Sequence, residues 1–124
     1  PEAPELCALF ADMRKRGTTA IVMEVSSHAL SLDRVHGTTF AGAIFTNLTQ
    51  DHLDFHGTMD NYAAAKKLLF DMLPASSIAV VNADDEHCDF MLQDSRAEKR
   101  IFFGRSPKAT VRITEERLSF TRTF

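Results

Sequence analysis

Four short apolar runs, at Ala20–Val25, Ala41–Phe45, Ile78–Val81 and Arg100–Phe103, recur along the chain with helical stretches between them. Strands that alternate with helices predict a parallel sheet with right-handed crossovers, an α/β fold. Pro4 can open the first helix, whose apolar stripe is Leu6, Leu9, Phe10 and Met13 and whose end is Gly17. Residues 26–34 read as a loop or short helix, and His36–Thr39 as a turn around Gly37. Thr58 reads as the N-cap of a helix that starts at Met59 and is closed by Pro74. Another helix is expected from Asp84 to about Gln93, with Phe90 and Met91 in the core. From Thr110 the pattern changes to period two, through Val111, Ile113, Leu118 and Phe120. It predicts a C-terminal antiparallel hairpin turning at Glu115-Glu116.

Composition narrows the classes without choosing among them. A chain of 124 residues suits one domain or part of one. With 44% hydrophobic and 25% charged residues it is ordinary globular protein. A net charge of −3 gives no nucleic-acid footprint, and no run is long enough to span a membrane. Cys7 and Cys88 have neither metal-ligand spacing nor a disulfide framework, so reduced, cytoplasmic thiols are expected.

Chemistry concentrates in residues 46–66. The run ending at Phe45 passes into Thr46-Asn47-Leu48-Thr49-Gln50-Asp51-His52-Leu53-Asp54-Phe55-His56-Gly57, and a helix follows. Strand ends in α/β proteins are where ligands bind. Asp51, His52, Asp54 and His56 are possible metal ligands, or else turn and cap residues. At about 100° per residue, Met59, Tyr62, Ala63, Leu69, Phe70 and Leu73 form one stripe with Lys66 in its middle and Lys67 at its edge. Lys66 either snorkels to solvent or reaches a polar cleft. In a cleft, desolvation favours its neutral amine, which can add carbon dioxide and become an anionic carbamate ligand for a hard cation. Glu24, at the end of the Ala20–Val25 run, is a possible magnesium ligand or a solvated strand-end residue. Ser26-Ser27-His28 invites a serine-nucleophile reading, but the Gly-x-Ser-x-Gly elbow is absent.

Glu24-Val25-Ser26-Ser27-His28-Ala29-Leu30, Arg34, the stretch Phe45–Met59 and Tyr62-Ala63-Ala64-Ala65-Lys66 together resemble the central domain of the Mur ligases. The likeness is closest to the UDP-N-acetylmuramoyl-tripeptide synthetases, spans roughly Pro1 to Asp85 and weakens beyond. Folylpolyglutamate synthetases share the superfamily but carry a different loop after the Thr-Asn pair.

The resemblance implies an ATP-dependent acid–amino acid ligase of peptidoglycan synthesis. Such an enzyme joins a diamino acid, meso-diaminopimelate or lysine, to a UDP-N-acetylmuramoyl-dipeptide through an acyl phosphate. By the same likeness Glu24, His52 and Lys66 hold Mg²⁺ at the ATP γ-phosphate, Lys66 as its carbamate. Ser26 and Arg34 bind the muramyl substrate. Leu32 stands where relatives often have a nucleotide-contacting glutamine. Asn82-Ala83-Asp84-Asp85 resembles a strand-end motif near the nucleotide, with no firm role assigned.

The sequence contains no Gly-x-x-x-x-Gly-Lys-Ser/Thr loop, which the family carries upstream of the matched region. The expectation is a fragment of a central ATP-binding domain, without the phosphate loop and the flanking N- and C-terminal domains, and inactive alone. The competing expectation is a metal-dependent hydrolase built on the cluster at 51–56, binding zinc or manganese without ATP.

Overall fold

The computed structural model describes residues 1–49 and 57–119. Four strands, β1 (Gly42–Phe45), β2 (Ile78–Asn82), β3 (Lys99–Gly104) and β4 (Val111–Arg112), form one sheet in the order β1-β2-β3-β4, and all pairings are parallel. The register sets Ala43 beside Ala79 and Phe45 beside Val81. These side chains point to one face, where α3 (Met59–Asp71) and α4 (Cys88–Leu92) cover them. Phe70, Leu73, Ala79, Val81, Cys88 and Met91 are the centre of that core. A second cluster joins Leu6 of α1 (Ala3–Lys15) to Leu30 of α2 (Ser27–Ser31) and to Val35, and packs on Leu69 and Met72.

Local chemistry explains the helix ends. Glu2 and Glu5 form a capping box at α1, and Gly17 follows the helix with φ 94°. Ser26 Oγ accepts from Ala29 N at 3.1 Å, and Thr58 Oγ1 accepts from Asn61 N at 3.1 Å. Both side chains satisfy a backbone N–H that the first helical turn leaves orphaned.

Several sequence expectations are corrected. The Ala20–Val25 run is not a strand: residues 18–26 carry no regular structure, and Val22 is 98% exposed. Apolar content signals burial, but a strand also needs a neighbour to complete its ladder, and β1 forms the edge of the described sheet. The C-terminal hairpin is also absent among the described residues. Thr110 N donates to Phe102 O and Ile113 N to Gly104 O, so the segment pairs parallel to β3, and residues 113–119 are irregular. Phe120 lies outside the described residues. The helix expected from Asp84 is confined to Cys88–Leu92, because residues 82–87 spend their hydrogen bonds on side-chain turns. Leu9 is 49% exposed and Phe90 36%, so neither belongs to the core, while Met91 is fully buried.

Candidate functional site

The carboxyl end of β1 opens into a cavity of about 50 Å³ lined by Ile44, Phe45, Thr46, Asn47 and Lys66, together with Val25, Leu30, Leu69 and Phe70. Lys66 is half-buried there, with Nζ 5.6 Å from the centroid of the Tyr62 ring. The apolar walls come from both core clusters, so the lysine sits where α2, α3 and β1 converge.

The helical-wheel ranking of the two lysines is reversed. Lys67, expected at the stripe's edge, is the buried one at 6% exposure, and its Nζ donates to Asp71 Oδ1 and Asp94 Oδ2, each at 2.6 Å. Burial alone would push the Lys67 ammonium's pKa down. The hydrogen bonds and charges of the two aspartates outweigh that and hold it above the ordinary lysine value. Lys67 is therefore a fixed cation of the fold, and Lys66 is the lysine at the cleft.

The other candidate residues fall at different distances from this cleft in the fold. Glu24 is exposed and immediately precedes Val25, a wall residue. Ser26 follows Val25, and its hydroxyl oxygen is engaged in capping α2. Arg34 is not part of the cavity lining. Its Nε lies 3.4 Å from Glu2 Oε1, yet it is buried without a hydrogen-bond partner among the described residues. The anion that faces this nitrogen in the fold is the Glu2 carboxylate. His52 and the rest of the cluster at 51–56 lie outside the described residues. Among the described residues no three His, Cys, Asp or Glu side chains gather as a metal site.

Sequence reasoning left the Asn82–Asp85 motif without a role, and here the structure is explicit. Asn82 Nδ2 donates to Thr46 O at 2.7 Å, and Asn82 Oδ1 accepts from Asp84 N at 2.9 Å. Asp84 accepts from Arg105 N and Ser106 N, both at 2.7 Å. These backbone donors hold its carboxyl below the ordinary carboxylate range. Asp85 Oδ2 accepts from Leu48 N at 3.0 Å, and its other oxygen accepts from His87 N at 2.8 Å. One tetrapeptide at the end of β2 thus ties down the exits of β1 and β3. An Asx-rich stretch directly after an apolar run was the available signal; its partners, up to 37 residues away, were not.

Comparison with known proteins points to one family. The family model of the Mur ligase middle domain matches residues 1–123. A UDP-N-acetylmuramoyl-L-alanyl-D-glutamate--2,6-diaminopimelate ligase of Chlorobaculum tepidum is 56% identical over 102 residues, covering 82% of this chain and 20% of that protein. The ligase of the same name from Solibacter usitatus is 47% identical over 114 residues, covering 90% of this chain and 23% of its own length. A solved structure of a UDP-N-acetylmuramoyl-L-alanyl-D-glutamate--2,6-diaminopimelate ligase superposes with a TM-score of 0.78 at 34% identity, over 88% of this chain and 23% of that one. The chain spans about one fifth of the length of these relatives. A parallel α/β sheet and a match to the middle-domain model along residues 1–123 agree: the chain belongs to the Mur ligase family.

Proposed function

We propose that this chain is the middle-domain part of a longer ATP-dependent acid–amino acid ligase. The whole enzyme adds meso-diaminopimelate to UDP-N-acetylmuramoyl-L-alanyl-D-glutamate in cytoplasmic peptidoglycan synthesis. The observation that carries the reading is Lys66, held beside Thr46 and Asn47 in the cavity at the end of β1. The names of the relatives support the substrate and the diamino acid. The phosphate loop and the flanking domains belong, on this reading, to the rest of the enzyme.

The substrate carboxylate attacks the ATP γ-phosphate, giving an acyl phosphate and ADP, and the incoming amine displaces phosphate. Phosphoryl transfer of this kind asks the protein for positioning and charge neutralisation more than for covalent help. The donors available suit a hard cation: the Glu24 carboxylate, the His52 imidazole and a carbamate on Lys66. Magnesium, when bound, would offset the repulsion between ATP and the carboxylate. On this reading the Lys66 amine takes up carbon dioxide in the cleft that Val25, Leu30 and Phe70 also line. Ser26 and Arg34 would hold anionic or polar parts of the muramyl substrate, Arg34 through its planar guanidinium.

The test is ADP release by the complete enzyme with the muramyl-dipeptide, diaminopimelate and Mg²⁺ supplied together. Lys66→Ala should lower turnover by about a hundredfold or more, the scale of a lost group that stabilises transition-state charge. Lys66→Arg should fail as well, since a guanidinium cannot take up carbon dioxide at neutral pH. Near-normal turnover of Lys66→Ala at saturating Mg²⁺ would sink the role of Lys66. Hydrolysis without ATP, driven by zinc or manganese, would instead favour a hydrolase built on the 51–56 cluster, a reading that none of the quoted relatives supports.

A further inference from the structure

We propose that Asn82 and Asp85 are positioning residues for the Lys66 cleft, acting through the backbone on either side of Asn47. The inference rests on the ligase reading above for its kinetic consequence, but the geometry behind it is independent of that reading. Thr46 O belongs to the peptide group that precedes Asn47, and Leu48 N to the one that follows it. Asn82 holds the first at 2.7 Å and Asp85 the second at 3.0 Å. Both peptide groups flanking Asn47 are therefore pinned from β2, and Asn47 lines the cavity together with Lys66.

The two clamps are themselves braced. Asn82 Oδ1 is fixed by Asp84 N, so its amide cannot flip without losing a second bond. Asp85 is 11% exposed, and its second oxygen accepts from His87 N at 2.8 Å, with His87 Nδ1 3.2 Å away. A carboxylate committed at both oxygens has little rotational freedom. Among the described residues the Thr46–Leu48 segment is anchored by these two side chains, and neither belongs to the segment itself. Asp84 makes an equally good pair of bonds in the same tetrapeptide, but to the 105–106 loop after β3, whose residues do not line the cavity. Within one motif, nature supplies both the positioning residue and its control.

The experiment compares Asn82→Ala, Asp85→Ala, Asp85→Asn and Asp84→Ala in the complete ligase, with steady-state kinetics, thermal midpoints and amide exchange at Leu48. Loosening the Thr46–Leu48 segment by about an ångström should lower kcat about tenfold to a hundredfold in Asn82→Ala and Asp85→Ala. The KM for the muramyl substrate should stay within about twofold, the pattern of a group felt in the transition state. Asp85→Asn keeps one acceptor oxygen and should recover part of kcat and of Leu48 protection. Asp84→Ala should lower the thermal midpoint while leaving kcat within about twofold of the parent.

Equal losses of kcat in the Asp84 and Asp85 variants at matched thermal midpoints would overturn the inference, since the motif would then act only through stability. Unchanged amide exchange at Leu48 in Asp85→Ala would overturn it whether or not the enzyme ligates. If the parent enzyme is active and Lys66→Ala is not, full activity of Asp85→Ala removes this inference alone. A parent enzyme with no ATP-dependent ligation removes the proposed function and, with it, the kinetic role given to these two residues.

Discussion

Removing the buried ammonium of Lys67 while keeping its stem, as Lys67→Met, should destabilise the chain by about 1–2 kcal/mol. The magnitude comes from the partners. Lys67 Nζ makes two charge-assisted bonds of 2.6 Å, and such bonds are worth about 1.5–3 kcal/mol each when a charged group is lost. Asp94 is 69% exposed and Asp71 34%, so water takes over much of the solvation of both carboxylates and reduces the sum. What water does not remove is repulsion. The two aspartates each lie 2.6 Å from one nitrogen, so without it they face each other within about 5 Å. For a chain of this size a loss of 1–2 kcal/mol moves the urea midpoint down by roughly 0.5–1 M. Far-UV circular dichroism against urea reads the shift directly. The double variant Lys67→Met with Asp94→Asn should recover part of it by removing one of the facing charges. A midpoint for Lys67→Met equal to or above that of the parent would show that desolvation of the lysine cancels its two bonds, and the reasoning would fail.

Three further outcomes are expected. Gly104→Ala should cost about 1–3 kcal/mol in the same assay, because φ is 137° and a Cβ would lie 2.7 Å from an Asp84 oxygen pinned by two N–H donors; a neutral result would mean that the Asp84 clamp yields easily. Thr58→Ala should cost about 1 kcal/mol through loss of the α3 cap, with Thr58→Ser close to the parent, and equal loss in both would point away from the hydroxyl. The Asp84 carboxyl titrates below its ordinary value of 3.8, so the stability it contributes is complete above that pH and is lost as pH falls through its lower folded value. The gap in urea midpoint between parent and Asp84→Asn should therefore hold from pH 7 to about pH 5 and close below 3.8; a gap that persists unchanged in stronger acid would refute the ionic clamp.

Strands β1, β2 and β3 were legible within a residue or so because each is a short apolar run bounded by polar or turn residues. Helix α3 was legible from both ends, through the Thr58 cap and Pro74. The order of its two lysines was not. A helical wheel assumes one buried face, but α3 packs against α2 on one side and α4 on another. Its buried arc is therefore wide enough to enclose Lys67, whose partner Asp94 is 27 residues away in the chain. The Ala20–Val25 run misled for a related reason, since hydrophobicity is local and strand pairing is not. The location of the cleft followed from the strand-end rule and the polar sequence after Phe45. The anchors of that cleft depended on a sheet register that no local window contains.

The parallel register also bears on how the chain reaches this state. The contacts of β1 with β2 must close across α3, as the Asn82–Thr46 bond does over 36 residues, and β2 with β3 must close across α4. Neither pair can zip from a tight turn, so the described strands offer no hairpin as an early nucleus. Loop-closure entropy has to be met before the sheet returns any stabilisation, which places the chain among the mixed α/β folders rather than the fast helical ones. The pairing of β2 with β3, from Ile78 to Lys99, spans fewer residues than that of β1 with β2, from Gly42 to Ile78, so the central pair is expected to close first and β1 to join it afterwards.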